Sequence, residues 1–349
     1  MTNEQQRVQA YVELIVQLLN CPQGQEEALL QANAELVDAG LVAEMGKCAD
    51  WLEIQDDHNA GWLRNFARQV TRALGLAEEN PTESLSEDAI GFLVEVMQLI
   101  AQPEGDQNQM YGFFRSNLAR FDQALLSALP DVFQLLIQKN DQTFIAFVFV
   151  EFGNLINKFP LGTRWLNLEL GIAAYEQALQ VYTRDAFPEQ WARTQNNLAN
   201  TYHDRIHGDR ADNLERAITT YEQALQVYTR DAFPEQWAMM QNNLASTYHD
   251  RIYGDRADNL ERAITTYEQV FQVHTHDAFP EEWARTQYNL AIVYHDRIRG
   301  ERADNLEQAI KAYEQALQVR TRDAFPEQWA TTQNNMANVY RDRIRGERA

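Results

Sequence analysis

The sequence predicts an all-α protein in which an N-terminal helical bundle precedes an α-solenoid. The stretch DAFPEQWARTQNNLANTYHDRI begins at Asp185, and close copies begin at Asp231, Asp277 and Asp323, a constant interval of 46 residues. Within each copy the apolar residues recur with the 3.6-residue period of a helix. Because a catalytic constellation is normally needed once per site, recurrence at fixed spacing predicts stacked structural units.

Composition narrows the classes of partner. The chain has 349 residues, 45% of them hydrophobic, so a folded protein is expected. Its net charge of −21 argues against nucleic acid or an anionic membrane as the main partner. The two cysteines, Cys21 and Cys48, fit a reducing compartment better than a disulfide framework. With no signal peptide in MTNEQQR and only the short apolar run 144–150, we expect a cytoplasmic protein without membrane association.

The N-terminal part of the chain is predicted to be helical but lacks the 46-residue repeat. We predict an N-terminal helical bundle over residues 1–78 and a helical connector, or cap of the solenoid, over 79–140. The polar stretch 77–88 is the best linker candidate. The candidate helices cover residues 4–19, 25–38, 42–54, 62–74, 89–102, 107–128 and 130–139.

Residues 141–349 are predicted to form about four and a half helical hairpins of period 46. Each hairpin has two helices with one apolar stripe each. The first stripe in one unit comprises Trp191, Leu198, Ala199, Tyr202 and Ile206, and the second comprises Leu214, Ala217, Ile218, Tyr221, Ala224, Leu225 and Tyr228.

Turn and capping residues support this division. Pro188 fits the first position of a helix, where its missing N–H costs nothing. Gly208 is expected to adopt the left-handed conformation after that helix. Asp212 and Glu215 resemble an acidic capping box at the start of the second helix.

The last unit has a first helix and no second one. Its apolar positions are therefore expected to be half covered, and we infer either more chain in a longer parent protein or a partner, including a second copy, that docks there. These positions are Trp329, Met336, Ala337, Tyr340 and Ile344.

The motifs LANTYHDR and AITTYEQAL resemble the tetratricopeptide repeat, although that family's usual unit is about 34 residues. The resemblance implies a right-handed solenoid whose small residues mark where two helices cross. The Asn-Asn-Leu-Ala run is similar to kinesin-light-chain-type repeats, and the chain also resembles the N-terminal and repeat region of bacterial proteins that carry a CHAT protease domain. The signature positions here are Leu198, Ala199, Tyr202, Ala217, Tyr221 and Ala224.

This resemblance implies a protein-protein interaction scaffold that binds a peptide or protein segment in a concave groove. An alternative is the sensing or regulatory half of a larger signalling or CHAT-protease protein, whose effector domain is absent from this chain. For the recurring asparagines two interpretations stay open, hydrogen bonds across helices or amides that face a peptide. The implied groove residues are Arg193, Asn196, Asn197, Asn200, His203, Met239, Asn242, Asn243, Ser246, His249, Arg285, Tyr288, Asn289, Ile292 and His295.

No catalytic chemistry is expected. The sequence has no glycine-rich phosphate loop, nucleophile elbow, Cys-x-x-Cys or His-Glu-x-x-His motif. His203 and His207 have the i, i+4 spacing of a metal pair, but no further ligands are placed beside them, so we expect no metal and no cofactor. The neighbouring aspartates are expected to pair with arginine. The four recurring tryptophans are expected in the core because they share its helical phase.

Overall fold

The computed structural model describes residues 3–21, 26–54, 59, 63, 66–67, 70–71, 74, 87–101 and 107–346. These residues contain fifteen α-helices, two short 3-10 helices and no strand, so the all-α prediction is confirmed. They fall into two compact units, Met1–Glu87 and Asp88–Ala349. Within the described ranges, no helix has both the length and the apolarity that a bilayer crossing requires.

The first unit contains helices α1 (Asn3–Asn20), α2 (Glu26–Ala32) and α3 (Ala39–Ile54). The helix predicted over 25–38 stops early because Asp38 caps α3 instead, accepting hydrogen bonds from the backbone N–H of Gly40 and Leu41 at 2.8 and 3.1 Å. Arg7 and Tyr11 also donate to Asp38. Most of the helix predicted over 62–74 lies outside the described residues. The buried core contains Tyr11, Leu14, Ile15, Leu18, Leu41, Met45, Ala49 and Leu52.

Both cysteines lie in this unit as free thiols, and each is partly buried. Burial raises the pKa of the Cys48 thiol above its usual range, which disfavours the nucleophilic thiolate. The Sγ atom of Cys21 lies 3.2 Å from the carbonyl oxygen of Leu18. These surroundings are those of structural cysteines.

The second unit begins with α4 (Glu87–Ile100), α5 (Gln107–Ser116) and α6 (Gln123–Lys139). The prediction of a single helix over 107–128 is wrong, because α5 ends at Ser116 and the next α-helix begins after its N-cap residue, Asp122. That side chain accepts a 2.9 Å hydrogen bond from the backbone N–H of Leu125 and so begins α6. Pro130, predicted to start a helix, lies inside α6.

Four helical hairpins follow, and we number them repeats 1 to 4. The two helices of each hairpin pack against each other, and each second helix packs against the first helix of the next repeat, as in a solenoid. The hairpins are α7 (Gln142–Lys158) with α8 (Arg164–Ala178), α9 (Pro188–Asp204) with α10 (Arg210–Ala224), α11 (Pro234–Asp250) with α12 (Arg256–Val270), and α13 (Pro280–Asp296) with α14 (Arg302–Val319), followed by α15 (Pro326–Gly346).

Small residues let the two helices of a hairpin approach closely. Ala199, Ala217 and the side chain of Tyr221 are all fully buried. In repeat 1 the equivalent of Ala199 is Gly153, and a Cβ there would lie 2.6 Å from the ring of Tyr175. The signature positions of the resemblance are therefore packing positions.

The residues that begin and end the helices are partly those predicted. Pro188 begins α9, and Gly208 has a φ of 79° in the turn that follows the helix. The capping box is wrong, because Asp209 is the residue whose side chain accepts from the backbone N–H of Asp212, at 3.0 Å. Glu215 is left free to bind the next repeat, as described below.

Two helices are shorter than their apolar stripes suggested. Because α10 ends at Ala224, Leu225 and Tyr228 lie in the turns that follow. The hydroxyl of Tyr228 there donates to the backbone carbonyl of Glu189 at 3.1 Å. Because α9 ends at Asp204, Ile206 is outside the helix and 61% exposed, and its prediction as a core residue is wrong.

The recurring tryptophans are also less buried than expected. All four lie near the start of a first helix, and all are half-buried at the edge of the core. Trp191 packs beside Ala224, Tyr228 and Met240. Their shared helical phase with Leu198 identified the correct face of the helix but not the depth of burial, because periodicity gives a direction and not a depth.

Candidate functional site

The sequence-predicted site residues all lie on the first helices of repeats 2 to 4. Each first helix contacts the first helix of the next repeat, so α7, α9, α11, α13 and α15 form one layer, which we call the first-helix layer. Residues at equivalent positions therefore form rows that run from repeat to repeat. Two of these rows are hydrogen-bonded along their length.

The first row is a ladder of side-chain amides, which we call the amide ladder. In each step an asparagine Nδ2 donates to an oxygen of the preceding repeat. The cross-helix hydrogen bonds that were one of the two interpretations of these asparagines are thus present. The steps are Asn197 to Asn154 at 2.8 Å, Asn243 to Asn200 at 3.1 Å, Asn289 to Asn242 at 3.2 Å and Asn335 to the hydroxyl of Tyr288 at 2.8 Å.

Buried tyrosines orient the acceptors of this ladder. The hydroxyl of Tyr221 donates to Oδ1 of Asn200 at 2.6 Å, and that of Tyr175 donates to Oδ1 of Asn154 at 2.9 Å. Burial raises the pKa of both phenols well above the usual range, so both stay neutral donors. The amide oxygens are thereby held in one orientation.

Two of the predicted groove amides are buried instead. Asn196 is 6% exposed and Asn242 is 3% exposed, and Asn242 donates to Oγ1 of Thr286 at 3.0 Å. The expectation that these two side chains line an open groove is therefore wrong for this structure. Each precedes the ladder asparagine by one residue, which places it about 100° further round the helix, on a buried side.

The exposed positions of the layer vary from repeat to repeat. Arg193, Met239 and Arg285 occupy one row, and all three are exposed. Neither arginine forms an ion pair with another described residue. Ser246, Tyr288 and Ile292 are half-buried further along the same helices.

The second bonded row alternates histidine and aspartate, and we call it the His–Asp ladder. Nε2 of His203 lies 3.0 Å from Oδ2 of Asp250 in the next repeat, and Nδ1 lies 3.2 Å from Oδ1 of Asp204. His249 repeats this arrangement with Asp296 at 2.9 Å and Asp250 at 3.0 Å. The last step joins His295 to Asp342 at 2.9 Å.

The ladder has a marked electrostatic consequence. Burial alone opposes a charged imidazole, but hydrogen bonds to two carboxylates outweigh it and raise the pKa of His203 to about 9. The pKa of His249 is raised to about 9 in the same way. Burial disfavours the Asp250 carboxylate, yet its two imidazole partners lower its pKa well below the usual range. His203 and His249 are therefore ion-paired with their aspartates at neutral pH.

Arginines join this ladder as the sequence suggested. Arg164 lies 3.6 Å from Asp204, and Arg210 lies 3.9 Å from Asp250. His207 stands apart from the row, its ring near that of Trp165. Among the described residues, no cluster of three or more His, Cys, Asp or Glu side chains could hold a metal ion.

Sequence reasoning missed a third contact between repeats. Nε and Nη2 of Arg251 donate to the two carboxylate oxygens of Glu215 at 2.6 and 2.8 Å, a paired geometry that suits guanidinium and carboxylate. The recurring arginine of the Asp-Arg-Ile triplet was the available signal. The equivalent pairs are Arg205 with Glu169, Arg297 with Glu261 and Arg343 with Glu307.

Comparison with known families adds two matches. The family model of the soluble NSF attachment protein, SNAP, matches residues 162–278, and a tetratricopeptide repeat model matches residues 283–323. No curated protein matches the chain. The two matched segments together run from the turn before α8 to the turn after α14.

Proposed function

Because the chain is a tetratricopeptide-type repeat protein, we propose that it is an interaction scaffold that binds a segment of another protein along the first-helix layer. Repeats of this type generally mediate protein-protein interaction. The resemblance to the family implies that this layer would be the concave side of the solenoid. The partner segment would cross repeats 2 to 4 in turn.

One observation carries the proposal. The layer combines a repeated frame with an exposed row that changes, since the two ladders recur while the row has arginine at Arg193 and Arg285 and the uncharged Met239 between them. A rigid, repeated frame reduces the conformational entropy lost on binding. The variable row would supply selectivity, with Met239 adapting to an apolar side chain.

The half-buried ladder amides suit an extended peptide. Nδ2 of Asn243 uses one hydrogen bond to Asn200, which leaves its second N–H and its Oδ1 atom for a ligand. A peptide backbone offers the complementary carbonyl and N–H groups. Affinity would therefore come from the backbone and selectivity from the variable row.

The proposal gives this chain a binding role alone, without a catalytic step, cofactor or metal. The two free cysteines support a reducing location, the cytoplasm. Self-association through α15 belongs to the same proposal, since Ala337 and Ile344 are exposed on that helix.

A peptide selection tests the proposal. Peptides from a randomised display library are selected on the full chain, and their affinities are measured for Met239→Glu, Arg285→Glu and the control Thr219→Glu, an exposed site on α10. We expect the first two variants to weaken binding by at least about tenfold and the control by less than about twofold. Peptides that depend on Thr219 and ignore both layer positions would contradict the proposal.

A further inference from the structure

The turns inside the hairpins form one edge of the solenoid, and an exposed isoleucine recurs along it. Ile206, Ile252 and Ile298 occupy equivalent positions and are 61, 58 and 60% exposed. Ile344, at the equivalent position of α15, is also exposed. We call this surface the isoleucine edge, and it comprises residues 204–210, 250–256, 296–302 and 342–344.

Further apolar side chains extend this surface. Tyr253 is exposed beside Ile252, and Leu161 and Trp165 are exposed at the turn of repeat 1. The ring of Trp165 lies 6.0 Å from that of His207 in the next turn, so neighbouring turns are in contact. Eleven large apolar side chains are exposed in the described part of the second unit, and these three with the four isoleucines are seven of them. A concentration of this kind is typical of a protein-binding surface.

The charged neighbours of the isoleucines already have partners within the chain. Arg251 forms its paired hydrogen bonds with Glu215, and Asp255 accepts from the backbone N–H of Asp258 at 2.9 Å. Covering the edge would therefore not leave these charges buried and unpaired. The four segments of the edge carry seven acidic side chains and eight arginines, although the net charge of the chain is −21. Two such edges can meet without the repulsion that the rest of the surface imposes.

The constancy of the isoleucine indicates what covers it. The next residue changes from His207 to Tyr253 to Arg299, while the isoleucine stays the same. First helices of consecutive repeats are in contact, which spaces equivalent residues by about 10 Å, whereas an extended peptide presents same-side residues about every 7 Å. A second copy of the chain has the required spacing and the required residue at every repeat.

We propose that the isoleucine edge is a dimer interface, at which two copies of the chain meet antiparallel across a two-fold axis. Ile252 and Ile298 lie next to the axis, and Ile206 faces Ile344 of the second copy, so the same surface is used by both copies. The edge has 24 residues, within the range of about 20 to 30 residues a side that a standard interface uses. The proposal does not depend on peptide binding, but it would give one assembly two first-helix layers and hence bivalent binding.

Sedimentation velocity of the full chain over a range of concentrations tests the interface. The wild type should approach twice the 40.4 kDa of one chain, and Ile252→Asp should raise the dissociation constant of the dimer by at least about tenfold. Ile298→Asp repeats the test at a second exposed site, and circular dichroism verifies that both variants fold. The matched control is Leu135→Asp, an exposed apolar residue on α6 outside the edge, which should dimerise like the wild type.

A further variant separates this interface from self-association through the face of α15. Ala337→Asp places a charge on that face and should leave the dimer intact. Dissociation by Ala337→Asp with no effect of Ile252→Asp and Ile298→Asp would overturn the proposal. A wild type that stays monomeric at every concentration would also overturn it, and would leave the edge to a helix of another protein.

Photo-crosslinking locates the contact. A benzophenone side chain replaces Tyr253, and chains labelled with ¹⁴N and ¹⁵N are mixed so that links between copies are recognised by mass. We expect mixed-isotope products that join residue 253 to segments 250–256 or 296–302 of the second copy. The absence of mixed-isotope products, or products confined to residues outside the edge, would contradict the antiparallel arrangement.

Discussion

Nε2 of His203 lies 3.0 Å from Oδ2 of Asp250, although the two residues belong to consecutive repeats. This contact can form only when the repeats are stacked, because 47 residues separate the pair. Its strength depends on the proton of the imidazole. We therefore expect the stacking of the solenoid to depend on pH.

The first prediction is a stability maximum in mildly acidic solution. The pKa of His203 and of His249 is about 9 in the folded chain against about 6.5 when unfolded, so their stabilisation is complete below about pH 6.5 and is lost as pH rises through 9. The pKa of Asp250 is lowered, so its contribution is lost as pH falls below about 4. Thermal unfolding followed by circular dichroism should show a midpoint that decreases from pH 6 to pH 10.

The control for this prediction is a histidine outside the ladder. His249→Gln should flatten the alkaline decrease by roughly 1 kcal/mol, whereas His276→Gln, an exposed site, should leave the profile unchanged. A midpoint that is constant or rises between pH 6 and pH 10 in the wild type would show that the ladder does not stabilise stacking.

The second prediction concerns Asn200, which accepts the hydrogen bond of the buried Tyr221 hydroxyl. Asn200→Ala leaves the hydroxyl of Tyr221 without its partner and should lower the free energy of unfolding by about 1 to 3 kcal/mol. Asn200→Ser should cost less, since Ser246 occupies the same position below Tyr267 in repeat 3. Urea unfolding measures both, and equal losses for the two variants would rule out this role for the acceptor.

The third prediction concerns a position that is glycine in repeat 1, Gly171, and alanine in the later repeats. A Cβ at Gly171 would lie 2.6 Å from Cγ of Asn157, whose Nδ2 donates to Oγ1 of Thr201 at 2.8 Å. Gly171→Ala should therefore destabilise the chain by roughly 1 to 3 kcal/mol. The later repeats pair alanine with histidine at these two positions, so adding Asn157→His should recover part of the loss. A double variant no more stable than Gly171→Ala alone would refute the packing argument.

The fourth prediction concerns the paired hydrogen bonds between Arg251 and Glu215. A double-mutant cycle with Arg251→Gln and Glu215→Gln should give a coupling of about 1 kcal/mol, since the pair is partly exposed. The exposed contact of Tyr253 with Asp212 spans the same two repeats and should give less. Similar coupling for both pairs would mean that the paired geometry adds nothing.

Much of the fold could be predicted from local signals. Pro188 and its copies marked the starts of α9, α11, α13 and α15, and the small residues Ala199 and Ala217 marked the helix crossings. Caps were harder, because Asp209 and Asp212 both fit a cap and only the path of the turn decides between them. The predicted burial of Ile206 was also wrong, because periodicity gives the buried face of a helix and not the residue at which the helix ends.

The rows of equivalent residues in the candidate site could be predicted from the sequence, but the hydrogen bonds between those residues could not. The recurrence of asparagine and histidine identified the layer, yet their partners lie in neighbouring repeats, and no local pattern gives that register. Asn196 and Asn197 show the limit, because the first is buried and the second donates a hydrogen bond to Asn154.

The most direct measurement of the central claim is site-specific photo-crosslinking to a selected peptide. A benzophenone side chain is placed at residue 239 on the first-helix layer, or at residue 219 on the exposed side of α10, and crosslinked peptide is located by mass spectrometry. We expect efficient crosslinking from residue 239 that excess unlabelled peptide abolishes, and only background crosslinking from residue 219. Specific crosslinking from residue 219, with none from residue 239, would contradict it.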